Sequence, residues 1–342
     1  MIRTRAVALT VAGLLLAVGW FVAERALDPE RRSAVVESHD PGALGAPNRA
    51  ADGVGSGVVA GPVAAVEPDR TPAPAARVGQ QAVYTPEDVR IFEAVMDEAR
   101  RDRLDTLALG DIIVRVGRRF VGDPYTPHTL DIPGDERVII NLREFDCVTF
   151  VESTLALARM IRDGRSDFEA LPAEIERIRY RDGRLDGYAS RLHYFSEWIA
   201  DNADRGVVEP ITPAPSGTPD SEPISFMSRH AEAYPQLDGF PERVERIRAI
   251  EARLSQRPRV YIPEAEIGAA AAGIRDGDVI AATSAVEGLD IAHTGFAVWQ
   301  DGALHLMHAP LVGRVLEISE EPLATRVLRI DGQDGIMVAR PR

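Results

Sequence analysis

The stretch IAHTGFAVWQDGALHLMHAP, residues 291–310, consists of two apolar runs around one Asp-Gly pair, and its reading decides the fold. Asp-Gly between strand-forming runs is the strongest short-range signal for a two-residue hairpin loop, because both loop residues must accept a positive φ. With Asp301-Gly302 as that loop, Gln300 pairs with Ala303, Val298 with His305, and Gly295 with His308. Side chains alternate between faces along a strand, so this register puts His293 and His308 on one face and His305 on the other. The diagonal from 293 to 308 spans about 7–8 Å between backbones, within reach of two imidazoles. A three- or five-residue loop would reverse the assignment. Periodicity cannot arbitrate, since Phe296, Val298 and Met307 make the second face apolar too, as in a hairpin covered on both sides.

Outward from this hairpin, the residues after Gly273 continue as short runs rich in Val, Ile and Phe, punctuated by Asp276-Gly277 and Asp331-Gly332. Those are strand and turn signals. The residues before Gly273 read as helices. Thr85-Pro86-Glu87-Asp88 has the form of a helix cap with proline in the first turn, followed by helical spacing through Ile91, Val95 and Met96. Thr106 to Phe120 reads as a second helix and Val138-Ile139-Ile140 as a short buried strand. The apolar run CVTFVESTLALARMIRDG, from Cys147 to Gly164, is long enough for a buried helix. Further helices are expected at Ala173 to Arg179, Ser190 to Asn202 and Pro241 to Ser255. Helices first and strands later predict an α+β domain with a mainly antiparallel sheet packed against helices.

This domain is expected over residues 84–342. Ahead of it, residues 28–83 are dense in Ala, Pro, Gly and Asp without helical or strand periodicity, the composition of a disordered linker. Residues 1–27 hold Arg3 and Arg5 followed by an uncharged apolar run from Ala6 to Ala23, which reads as a signal anchor or a signal peptide. Either way the basic side stays in the cytoplasm and the rest is exported, to a periplasmic or extracytoplasmic location tethered to the inner membrane. The Pro/Ser-rich patch from Pro210 to Pro223 reads as an inserted surface loop.

Acidic residues number 53 against 39 basic ones, and the net charge of -14 leaves no cationic excess to neutralise phosphates. Nucleic acid is therefore excluded as a partner. Cys147 is the single cysteine, so an intrachain disulfide and any multi-cysteine metal site are excluded as well. A lone thiol is by itself more often a small buried hydrophobe than a nucleophile. Its place here is distinctive: Asp146-Cys147 opens the apolar helix, where unpaired backbone N–H groups favour a thiolate and can stabilise an oxyanion. A thiol nucleophile needs a base, and the base needs an orienting group. Of seven histidines, His293, His305 and His308 cluster in the hairpin. Three histidines can also bind a metal, but no HExxH is present, and nucleophilic catalysis without metal or cofactor fits better.

Three motifs in order carry a resemblance. NLREFDCVTFVE (141–152), YRDGRLDGYASRLHYFSEW (180–198) and HTGFAVWQDGALHLMHA (293–309) together resemble the DUF1460, N-acetylmuramoyl-L-alanine amidase-like branch of the NlpC/P60 cysteine peptidase superfamily, over about residues 84–342. The resemblance implies a papain-like fold in permuted order, with Cys147 as nucleophile, His293 as base and then acid, and His308 orienting His293. It also implies peptidoglycan fragments as substrate and cleavage of the amide between N-acetylmuramic acid and L-alanine. In the second motif, Tyr188 and Tyr194 offer faces for a sugar ring and Arg191 a fork for a stem-peptide carboxylate, with His193 between them. Tyr194 and Trp198, four apart on a helix, have core packing as their alternative reading. The rival functions are a γ-D-glutamyl-diamino acid endopeptidase, an acyltransferase that excludes water, and a non-catalytic wall-binding protein with a buried Cys147.

Overall fold

The computed structural model describes residues 82–212, 217–311 and 315–342; the expected anchor and nearly all of the linker lie outside them. Among the described residues, no helix is long and apolar enough to cross a membrane. Six longer helices are spread from residue 86 to residue 254: α1 (Pro86–Arg101), α2 (Leu109–Arg119), α3 (Cys147–Arg162), α4 (Leu171–Arg179), α5 (Phe195–Asp204) and α6 (Pro241–Leu254). The C-terminal half carries the sheet and one more long helix, α7 (Leu323–Arg329).

Eight strands form one sheet in which every pairing is antiparallel. They are β1 (Val208–Pro210), β2 (Thr218–Asp220), β3 (Arg259–Pro263), β4 (Val279–Ser284), β5 (Ile291–Gln300), β6 (Ala303–His308), β7 (Glu317–Ile318) and β8 (Gln333–Pro341). Their order is β2-β3-β8-β4-β5-β6-β7, with β1 added on β8. The expectation of helices packed on an antiparallel sheet therefore holds.

Both faces of the sheet are covered. Val279, Ala281, Phe296, Val298, Met307 and Met337 pack in one core with α3, whereas Ile280, Leu304, Leu306 and Val338 pack in a second with Leu323 and Val327 of α7. α3 is buried from Thr149 to Ile161. A helix apolar all round is a core helix, and this one sits beneath the sheet with α2 and α4 against its sides. Its start is set by Asp146, whose side chain accepts from the Thr149 N–H at 2.7 Å while the Thr149 hydroxyl accepts from the Asp146 N–H at 2.9 Å. That reciprocal box satisfies two donors a helix end otherwise leaves open. Thr85 and Asp88 form the same box on α1.

The hairpin has the expected register. Gln300 pairs with Ala303, Val298 with His305 and Phe296 with Met307. Asp301 and Gly302 take φ of 51° and 81°, the two positive values a tight primed turn demands.

Local differences from the sequence reading have local causes. Val138 to Ile140 makes only a single bridge, in which Val83 bonds the Val138 carbonyl and the Ile140 N–H, while the Ile139 carbonyl accepts from the Arg179 side chain at 2.8 Å. The second helix begins at Leu109 rather than Thr106, whose hydroxyl donates back to the Arg103 carbonyl and closes a separate turn. The helix expected from Ser190 begins at Phe195, since Ser190 donates to the Gly187 carbonyl and Arg191 is extended. The 210–223 patch is partly strand: β2 pairs with β3, and Asp220 holds Arg259 at 2.8 Å. Pro219 is tolerated because β2 is an edge strand.

Gly295 is a place where only a hydrogen fits. A Cβ there would stand 2.5 Å from the Met307 carbonyl and 2.9 Å from the His308 Cβ. Gly295→Ala should therefore cost about 1–3 kcal/mol, as overpacking against backbone does. Gly268→Ala, with open space around it, should be neutral or slightly stabilising. Urea unfolding of the two variants checks the difference.

Candidate active site

The capping of α3 by Asp146 leaves Cys147 as the first helical residue, half-buried, with its thiol facing backbone donors. Three backbone N–H groups favour charge on the sulfur: that of Thr294 on β5, its own, and that of Val148. The first is decisive for position, because Thr294 follows His293 in the chain. The N-terminus of α3 thus meets the sheet at the histidine strand.

His293 and His308 are brought together as the register requires. His293 Nε2 and His308 Nδ1 are 2.8 Å apart, with the rings edge to face at 4.9 Å between centroids. His305 is on the opposite face, its Nδ1 against the Ser319 carbonyl at 2.8 Å. Two further groups face the pair. Glu317 is directly opposite His308 across β6 and β7, and its Oε1 lies 3.4 Å from His308 Nε2. Arg326, half-buried on α7, acts on both rings through its charge.

Burial dominates the electrostatics. Loss of solvent brings His293 down to about 3, assisted by the Arg326 charge. It pushes His308 below the ordinary imidazole range too, with His293 and Arg326 adding to the effect. Both rings are therefore neutral at pH 7, each with one donor and one acceptor nitrogen. Burial, with the Asp146 carboxylate behind it, pushes the Cys147 thiol up to about 12 against the pull of its three N–H donors. This corrects the expectation of a resting thiolate: the helix-end donors are present, but desolvation outweighs them. The site thus holds a neutral thiol and a neutral imidazole at pH 7.

The second motif forms the wall behind the helix start. Arg191 clasps Glu136 with two bonds of 2.8 and 2.9 Å and reaches Asp131 at 3.1 Å and the Leu130 carbonyl at 3.2 Å. Tyr188 is buried beneath it, with the guanidinium 5.1 Å from its ring centre, and the His193 ring packs on Tyr188 at 4.4 Å. The Tyr194 hydroxyl donates to Glu251 at 2.7 Å and accepts from the Met227 N–H at 2.9 Å. The hydrogen-bonding capacity of both is thus spent inside the protein: Arg191 holds the 130–136 segment that leads toward Cys147, and Tyr194 ties α5 to Glu251 of α6 and to Met227. Trp198 is fully buried in the core. One turn along α3, Glu152 is paired with Arg179 at 2.6 Å, both buried, which locks the helix to the Ile139 carbonyl.

Sequence reasoning missed Glu317, Arg326, Glu136 and the Glu152–Arg179 pair as parts of this assembly. No spacing rule reaches them, because each meets the site through tertiary packing.

The raised thiol has a direct consequence. Iodoacetamide should alkylate Cys147 at a rate that keeps climbing from pH 7 to pH 9, since the reactive thiolate grows about tenfold per unit below the pKa. A rate already level at pH 7 would reveal a preformed thiolate.

The chain was compared with known proteins. The AmiA-like family, described as N-acetylmuramoyl-L-alanine amidase-like, matches residues 115–333. A crystal structure of an N-acetylmuramoyl-L-alanine amidase from Bacteroides uniformis is 36% identical, with a TM-score of 0.65, and covers 68% of this chain and 99% of its own. A structure from Bacteroides fragilis, named there as a candidate xylanase, is 37% identical, with a TM-score of 0.63 over 66% of this chain and 99% of that one. The DUF1460 protein LPG0564 from Legionella pneumophila is 18% identical, with a TM-score of 0.53 over 74% of this chain and 94% of that one, a likeness of fold. Among curated proteins, none matches.

Proposed function

Because the chain belongs to the N-acetylmuramoyl-L-alanine amidase-like family, we propose that it is an exported cysteine amidohydrolase that cleaves the amide between N-acetylmuramic acid and L-alanine in peptidoglycan fragments. The observation that carries this reading is the meeting of the Cys147 thiol with the Thr294 N–H beside a His293–His308 pair. A nucleophile at a helix start, a base and an orienting ring are the parts that acyl transfer through a thioester needs.

In this mechanism the Cys147 sulfur attacks the lactyl carbonyl while its proton passes to His293. The Cys147 and Val148 N–H groups at the start of α3 take the charge that develops on the carbonyl oxygen. His293 then protonates the departing alanine amine, leaving a lactyl thioester on the enzyme. A water enters, His293 takes its proton, and the thioester hydrolyses to free the muramic acid carboxylate and the thiol. His308 keeps the base aligned throughout. The half-buried Arg326, close enough to lower both histidines, is the cation best placed to receive a substrate carboxylate.

In the same reading the domain is papain-like in permuted order. The basic start and apolar run of residues 1–27 support export and tethering to the inner membrane, and residues 28–83 then act as a linker that lets the domain reach periplasmic wall material. Glycan cleavage, which the name of the Bacteroides fragilis relative suggests for that protein, calls for two carboxyl groups flanking the bond. Here the central groups are a thiol and two imidazoles, while the nearby carboxylates, Asp146 and Glu317, respectively cap α3 and lie beside His308.

Given a disaccharide-tetrapeptide, the enzyme should release free disaccharide and a peptide beginning with alanine, identified by mass spectrometry. A disaccharide-dipeptide product would establish the endopeptidase rival instead. Cys147→Ala should abolish turnover; near wild-type activity in that variant would refute thiol catalysis.

His308→Ala should lower turnover at least about tenfold by freeing the base to misalign, and His305→Ala much less. Steady-state kinetics of the two variants separates them.

A further inference from the structure

His308 Nε2 is a buried polar atom without a hydrogen bond among the described residues, in a side chain with no exposure. A buried nitrogen in that condition needs an explanation. Glu317 Oε1 lies beside it at 3.4 Å, near but off the line of a hydrogen bond. The two residues are register partners across β6 and β7, so their side chains share a face by construction.

The proton inventory of the pair gives this neighbour a task. His293 and His308 share one hydrogen between Nε2 and Nδ1, and two arrangements are possible. In the first, His293 Nε2–H donates, His308 carries its hydrogen on Nε2, and His293 Nδ1 presents a lone pair. In the second, His308 Nδ1–H donates, His308 Nε2 is a bare lone pair, and the His293 hydrogen sits on Nδ1. Only the first makes His293 a base through Nδ1. Nothing within the pair prefers it, since both arrangements have one bond between the same atoms.

We propose that Glu317 is a positioning residue that selects the working tautomer, its carboxylate attracting the His308 Nε2–H and repelling the alternative lone pair. Glu317 acts through His308 and touches no substrate. Its effect extends to the moment when His293 holds the thiol proton: the positive charge that then spreads over the pair lies beside a carboxylate. The charged groups facing the pair oppose one another. Glu317, on β7, lies 3.4 Å from His308 Nε2 and as an anion would favour the protonated state; Arg326, on α7, disfavours it and itself feels the Glu317 charge, and Asp146 acts on the thiol from the start of α3. Glu317 is half-exposed at the sheet edge, so it supplies this bias while remaining replaceable.

The inference rests on the reading of His293 as base, and its test separates the two. In the full chain with ¹⁵N-labelled histidine, long-range proton–nitrogen spectra report which nitrogen of each ring carries hydrogen. In the wild type at pH 7, His308 should be protonated on Nε2. Glu317→Gln, whose amide can either accept from or donate to that nitrogen, should give a mixture or a reversal. In the same variant kcat should fall about tenfold with KM unchanged, and the acid limb of the kcat profile should move to lower pH, because a negative charge that favours the imidazolium has gone. Glu317→Asp, which keeps the carboxylate, should recover part of the loss and restore the Nε2–H form. An unchanged His308 tautomer in Glu317→Gln overturns the proposal. A changed tautomer with unchanged turnover upholds the role of Glu317 in the ring pair and overturns His293 as the base.

Discussion

A tight turn of two residues governs the chemistry. Asp301 and Gly302 both adopt positive φ, and that closes β5 onto β6 in one register. A slip of one residue would exchange the faces of every side chain on β6, sending His308 to the helix-packed core and His305 toward His293. Gly295 reinforces the register from the other end, since the close pass of β6 leaves room there for a hydrogen alone. The 2.8 Å contact between the two imidazoles is therefore a consequence of backbone geometry before it is a feature of the rings.

The thiol is delivered to this hairpin by a separate device. α3 is buried nearly throughout, so its axis is held by apolar packing against the sheet and its neighbouring helices, while the Asp146–Thr149 box sets where it starts. Buried ion pairs then restrain it: Glu152 with Arg179 from the side, and Arg191 with Glu136 and Asp131 in the segment ahead of Cys147. Such pairs contribute little net stability compared with an apolar replacement, but breaking one leaves an uncompensated charge. They suit a role in alignment. The second motif, with its tyrosines and arginine, belongs to this framework as much as to any groove above it.

Desolvation sets the resting chemistry. A thiol raised to about 12 and a histidine lowered to about 3 are both uncharged at pH 7. Such a site avoids the cost of a buried ion pair, and in the proposed mechanism charge would develop only along the reaction, beside the N–H groups of α3 and the neighbours of the histidines. Arg326 on α7 disfavours charge on the ring pair, and Glu317 on β7 places a carboxylate 3.4 Å from His308.

Much of this was legible in the chain itself. The hairpin register and the faces of His293, His305 and His308 followed from the period of two and the dihedral demand of Asp-Gly, which are properties of adjacent residues. The buried helix opening at Cys147 was likewise local, as was the order of helices before strands. Tertiary structure alone decided what depends on contacts between residues far apart. It placed Thr294 over the thiol, turned Val138 to Ile140 from strand to clasped loop, drew β2 out of a Pro/Ser-rich patch, and consumed Arg191 and Tyr194 in internal bonds. It also brought Glu317 and Arg326 to the histidines and inverted the expected charge of the cysteine. The physical reason is that dihedral preference and side-chain periodicity act over a few residues, whereas solvent exclusion and charge pairing depend on the whole packed surroundings, and no short stretch of sequence contains them.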